Sequence, residues 1–180
     1  MDLPGSEYLF TLATVTVTYV GLSSLFIVFR QSMGAPLAKY DVFLTRNFLR
    51  MGFTAVAGAL LPPLASLFGI PVEVVWRAAG LLVAVPVSLF ALTYPSRRYA
   101  ATGQPMPKRI WLDVFILIAA AVILLLNALG VPVRPGPGPY ALGISLLLLS
   151  SFLAFLHALE LLLDVPARPV RSSSQHSESR

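Results

Sequence analysis

Formal charge is missing from five long stretches of this chain, residues 8–29, 51–72, 78–96, 114–133 and 135–159. Each holds 19 to 25 residues. A bilayer core about 30 Å thick takes roughly 20 apolar residues of helix at 1.5 Å rise per residue. Every run is therefore long enough to cross. The pattern predicts an all-α polytopic integral membrane protein, a bundle of five transmembrane helices. Caps, prolines and turn residues place these helices at about 8–29, 42–61, 74–94, 110–130 and 140–163. They form a single transmembrane domain over 1–165, followed by a disordered cytoplasmic tail over 166–180, rich in Pro, Ser and Arg.

Composition agrees. Hydrophobic residues make up 57% and charged residues 12%. A soluble domain carries about 25% charged residues, so this chain lacks the polar surface for one. Its net charge of +5 follows topology rather than nucleic-acid binding. With the N-terminus outside, the inner segments hold Arg30, Lys39, Arg46, Arg50, Arg97, Arg98, Lys108, Arg109, Arg168, Arg171 and Arg180. The outer segments hold only Arg77 and Arg134. The positive-inside rule then sets the N-terminus outside and the C-terminus inside. Asp2 and Glu7 replace the basic flank of a signal peptide, so the first run reads as a retained span. The expected location is a cell membrane, the bacterial inner membrane. The expected partners are the lipid bilayer and a membrane-protein partner or a second copy, with no nucleic acid.

Smaller features refine the helices. Thr11, Thr14 and Thr18 recur on one face of the first, where hydroxyls bond back to helix carbonyls. The second carries Gly52, Ala55, Gly58 and Ala59, small residues that let helix backbones approach in lipid. Pro62 and Pro63 are expected to break or kink its end, leaving 64–70 as an interfacial segment. Glu73 and Arg77 are spaced to pair. Trp76, Tyr94 and Trp111 are expected as interfacial anchors. Pro86 predicts a kink in the third helix, and residues 95–109 an inner loop. The outer loop at 131–139 holds Pro132, Pro135, Pro137 and Pro139 and is expected to be extended.

Candidate chemistry gathers at the inner ends of three helices. The second brings Arg46, Asn47 and Arg50, the fourth Asp113, the fifth His157 and Glu160. All lie within roughly 10 Å of the inner boundary, at 1.5 Å per residue. Gly143, Ser150, His157 and Asp164 repeat every seven residues on the fifth helix, as do Asp113, Ala120 and Asn127 on the fourth. Both sets read as seams facing other helices, with Gly143 and Ser150 as packing positions.

This cluster supports two readings. One is an ion-pair network that fixes helix register. The other is a protonatable site, since intramembrane ionisable groups mark relays and substrate paths and His titrates near neutral pH. Cysteine is absent, which excludes thiol redox chemistry and disulfides. Only His157 of the two histidines lies in a span, so neither a metal site nor a haem is expected. No cofactor and no catalytic residue is assigned. Size and helix count resemble the tryptophan-rich sensory/translocator family. With only Trp76 and Trp111 here, nothing is carried over from that likeness.

The leading expectation is a non-enzymatic structural or accessory membrane component. It would act through helix–helix packing, by the small-residue face of the second helix. The alternative is a small transporter or proton-coupled carrier using Arg50, Asp113, His157 and Glu160, for which Glu160→Gln should abolish a pH-dependent flux.

Overall fold

The computed structural model describes residues 3–32, 39–103, 107–132 and 134–163. The predicted tail and Asp164 lie outside the described residues. Five helices follow one another: α1 (Ser6–Ser32), α2 (Lys39–Ser66), α3 (Val72–Thr102), α4 (Lys108–Leu129) and α5 (Pro137–Leu163). All five are long and apolar enough to cross a membrane.

Prolines and glycines set the helix ends. Pro71 and Pro107 precede α3 and α4, and their carbonyls accept from Val75 and Ile110 at 3.1 Å. Pro137 is the first residue of α5, where its missing N–H costs nothing. Gly103 and Gly130 close α3 and α4 in the left-handed region, at φ 66° and 74°, a conformation glycine adopts without strain.

Three expectations about the helices change. α2 runs through Pro62 and Pro63 to Ser66 rather than breaking before them. Pro62 and Pro63 are buried there, and packing holds the turn whose backbone donors they lack. α3 continues past Pro95 to Thr102, so most of the expected inner loop is two further turns of helix. The proline-rich stretch before α5 yields to helix at Pro137, three residues earlier than expected.

α2, α3, α4 and α5 form a closed ring of neighbours, each packed on the next and α5 back on α2. α1 lies outside this ring, packed mainly on α2 and only lightly on α5. Ala55, Ala59, Ala84, Ala120, Leu124, Tyr140 and Leu147 fill the centre with no exposed surface. Leu64, Leu82, Leu92 and Phe115 are among the large apolar side chains on the outside, as a lipid-facing surface requires.

Trp76 and Tyr94 depart from the expected interfacial role. Both are buried, at 1% and 7% exposure. Trp76 packs on Tyr140 with ring centroids 5.4 Å apart. They lie on the inward stripe of α3 with Gly80, Val83, Val87 and Phe90, so helical phase overrides their preference for the interface. Trp111 is exposed.

The small residues are consumed within the chain. A Cβ at Gly58 would meet Ile144 Cδ1 at 2.7 Å, and one at Gly143 would meet Leu124 Cγ at 2.6 Å. At Gly52 it would collide with Val20. At Gly80 it would sit 3.0 Å from the Leu124 carbonyl oxygen and 3.1 Å from Ala128 Cβ. Gly21 has open space around it. Gly80→Leu is therefore expected to destabilise the bundle by roughly 1–3 kcal/mol or more. Gly21→Leu should change stability by no more than about 0.5 kcal/mol. Thermal unfolding of the two variants in the same detergent checks the contrast.

Candidate functional site

The seven-residue seams of α4 and α5 meet in antiparallel register. At one end Asn127 Oδ1 accepts from the Gly136 backbone N–H at 3.0 Å, tying the end of α4 to the start of α5. This is a loop clamp at the end of the seam. Midway, Gly143 lies against Leu124. At the other end the Ser150 hydroxyl donates to Asp113 Oδ1 at 2.7 Å. Short, charge-assisted bonds of this kind are about twice as strong as neutral ones.

Asp113 is the sixth residue of α4, about 7.5 Å along the helix axis from its start. It is half-buried, and Ser150 is 4% exposed. α2 brings Asn47 to the same place, 6% exposed, and its Nδ2 has no hydrogen-bond partner. Between them lies a crevice of about 20 Å³, lined by Asn47, Met51, Phe90, Tyr94, Asp113 and Ser150 among others. A space of that size admits about one water molecule. No Lys, Arg or His is among the described residues that line it.

The rest of the predicted cluster falls elsewhere. His157, two turns beyond Ser150 on α5, is half-buried. Arg46, Arg50 and Glu160 have exposed side chains. Among the described residues their side chains make no ion pair and no hydrogen bond. The structure thus brings together Asn47, Asp113 and Ser150, with His157 beside them, and leaves the two arginines and Glu160 on the outer surface. Among the described residues Arg98 is a buried arginine, at 6% exposure, and Arg97 lies 6.0 Å from the Phe90 ring centroid. Among the described residues, no group of three or more His, Cys, Asp or Glu is placed to hold a metal ion.

Other polar contacts fasten the helices. Tyr140 donates to the Gly58 carbonyl at 2.7 Å. Tyr19 donates to the Ser151 carbonyl at 2.8 Å, and Ser151 to the Phe48 carbonyl at 3.0 Å. The hydroxyls of Thr11, Thr14 and Thr18 bond back to the carbonyls of Glu7, Phe10 and Thr14. Glu73 and Arg77 pair at 2.7 Å.

The crevice wall from α3 was missed by sequence reasoning. Its signal was available, because Gly80, Val87 and Tyr94 repeat by sevens, as do Trp76, Val83 and Phe90.

Compared with known proteins, the chain matches no family model, no curated protein and no solved structure.

Ser150→Ala would leave Asp113 Oδ1 without its donor in a half-buried position. The expected loss is about 1–3 kcal/mol of stability. Ser145→Ala, at a hydroxyl that bonds only Tyr8 and its own helix, should cost no more than about 1.5 kcal/mol. Denaturant or thermal unfolding of both variants measures the difference.

Proposed function

We propose that this protein is a small proton-coupled membrane carrier with Asp113 as its protonatable centre. One observation supports the reading most. A carboxylate within a predicted span faces a crevice inside the bundle, bonded to a neutral hydroxyl rather than to a cation. A charge within a span is costly, up to about 2.5–3.5 kcal/mol at the helix centre on insertion scales and less toward the interface. A carboxylate kept only to fix helix register is best served by an arginine fork. Here the Arg46 and Arg50 side chains are exposed. A group that must gain and lose a proton is better served by Ser150, which holds the carboxylate without neutralising it. His157 then serves as the neighbour that relays protons, and Asn47 as the polar wall opposite.

The reading sets this crevice toward the cytoplasmic side of a bacterial inner membrane, with the N-terminus outside; the excess of Lys and Arg in the segments taken as inner supports that orientation. The role proposed for Glu160 moves to Asp113, since the Glu160 side chain lies outside the crevice.

A second reading is an accessory component that acts by packing with itself or a partner helix. The small residues of α2 no longer argue for it, because they are occupied within the chain. A different feature does. α1 and α5 leave a groove of about 590 Å³ between them, lined by Thr14, Thr18, Leu22, Phe152 and Phe155 among others. It is wide enough for a side-chain ridge of another helix.

Proton uptake into proteoliposomes under an imposed pH gradient, with valinomycin to clamp the potential, tests the carrier. The expected outcome is a flux above that of empty vesicles, lowered at least about tenfold by Asp113→Asn and unchanged by Glu160→Gln. A flux equal to that of empty vesicles would discard the carrier and leave the accessory reading.

A further inference from the structure

The end of the bundle where α2 begins and α3 stops carries positive charge that no described carboxylate balances. Arg46 and Arg50 on α2 and Arg97 on α3 are exposed. Among the described residues none of the three makes an ion pair or a side-chain hydrogen bond. The described acidic side chains at this end, Asp113 and Glu160, stand on α4 and α5. At the opposite end Arg77 is answered by Glu73 at 2.7 Å. We propose that Arg46, Arg50 and Arg97 form a site for the phosphodiester of one anionic phospholipid, on the outer flank of the α2–α3 contact.

Ring contacts join the two helices here. Phe43 packs on Tyr94 at 6.0 Å between centroids and Tyr94 on Phe90 at 5.7 Å, while Arg97 Cζ lies 6.0 Å from the Phe90 centroid. Arg46 and Arg50 follow Phe43 by three and seven residues, so the three share one face of α2. Arg97 follows Phe90 by seven and shares its face of α3. The arginines therefore border one helix contact from both sides.

Helix direction draws them toward one depth. Gly58 meets Val83 and Phe43 meets Tyr94, so α2 and α3 run antiparallel. Side chains tilt toward the N-terminus of their own helix. Arg50 leans toward the start of α2, and Arg97 leans back along α3 to Phe90. Arg50 is eight residues into the candidate span Val42–Ser66, roughly 12 Å along the axis. An exposed guanidinium there is costly unless its stem carries it to the headgroups or an anion comes to it.

Charge and geometry select the ligand. Each guanidinium offers a planar fork that matches a pair of phosphate oxygens. Three positive charges on a face open to lipid favour a lipid whose phosphate is the one charge of its headgroup. A zwitterionic headgroup would bring its own cation into the cluster. Phe53, exposed one turn beyond Arg50, offers the acyl chains an apolar rest. The inference depends neither on the carrier reading nor on which leaflet holds this end.

Native mass spectrometry of the delipidated full chain, titrated with phosphatidylglycerol or phosphatidylcholine of the same acyl chains, tests the site. The expected result is one phosphatidylglycerol per chain, held at least about tenfold more tightly than phosphatidylcholine. Arg46→Lys with Arg50→Lys keeps both charges and removes both forks. That variant should bind phosphatidylglycerol at least about tenfold more weakly, and Arg97→Gln at least about threefold more weakly. Arg134→Gln, at the far end of the bundle, should stay within about twofold of the unaltered protein. All of these side chains are exposed, so the variants are expected to fold, and the comparison of the two lipids needs no variant. Equal affinity of the unaltered protein for both lipids would overturn the site. So would a preference that survives Arg46→Lys/Arg50→Lys and Arg97→Gln, because net charge alone would then explain it. Loss of the lipid to millimolar inorganic phosphate would overturn it too, since the site would then serve a free anion.

Discussion

Close approach of helix backbones is the constraint on which this structure depends. In lipid no hydrophobic force draws helices together, because acyl chains are as apolar as leucine. Cohesion must come from contact at short range. Gly52, Gly58, Gly80 and Gly143 supply it, each with a neighbour's atoms where a Cβ would otherwise stand. Ala55, Ala59, Ala84 and Ala120 carry the same closeness through the centre of the bundle. Leu124 links two of these points, since its carbonyl lies over Gly80 and its side chain over Gly143.

Tight packing at these places makes the polar contacts possible. Tyr140 reaches the Gly58 carbonyl because no side chain stands in between. Ser150 meets Asp113 because α4 and α5 hold one register from Asn127 and Gly136 to the far end. The packing inside the ring is looser where Asn47, Asp113 and Ser150 line the crevice. There the chain leaves a space for about one small particle and leaves an amide nitrogen unpaired. A bundle this closely fitted elsewhere could have filled that space with a methyl group.

Much of this was legible in the residues. Uncharged length set the number of helices. Seven-residue spacing found both seams, Asp113–Ala120–Asn127 and Gly143–Ser150–His157, and predicted that they face inward. Matched depth put Asn47 and Asp113 in one layer. Depth alone, however, says nothing about azimuth, and that is why Arg46, Arg50 and Glu160 were grouped with them. On α2, Arg46 and Asn47 are one residue apart, about 100° around the helix, so one can be buried and the other exposed. Trp76 and Tyr94 were misplaced for the same reason: residue type pointed to the interface, while phase along α3 pointed to the core. Local preference makes Pro62 and Pro63 helix breakers and starts a loop at residue 95, and α2 and α3 nevertheless run on through these positions.

The central claim is that Asp113 faces a crevice reached by water rather than a sealed packing contact. The chain contains no cysteine, so single cysteines can be placed without background. Silver ion is small, water-borne and thiol-reactive. The account predicts that Ala154→Cys, on the crevice wall, is modified by Ag⁺ at least about tenfold faster than Leu92→Cys, which faces lipid, because only the thiolate in contact with water reacts readily. Equal inertness of the two positions would mean that the crevice is sealed, and would contradict the account.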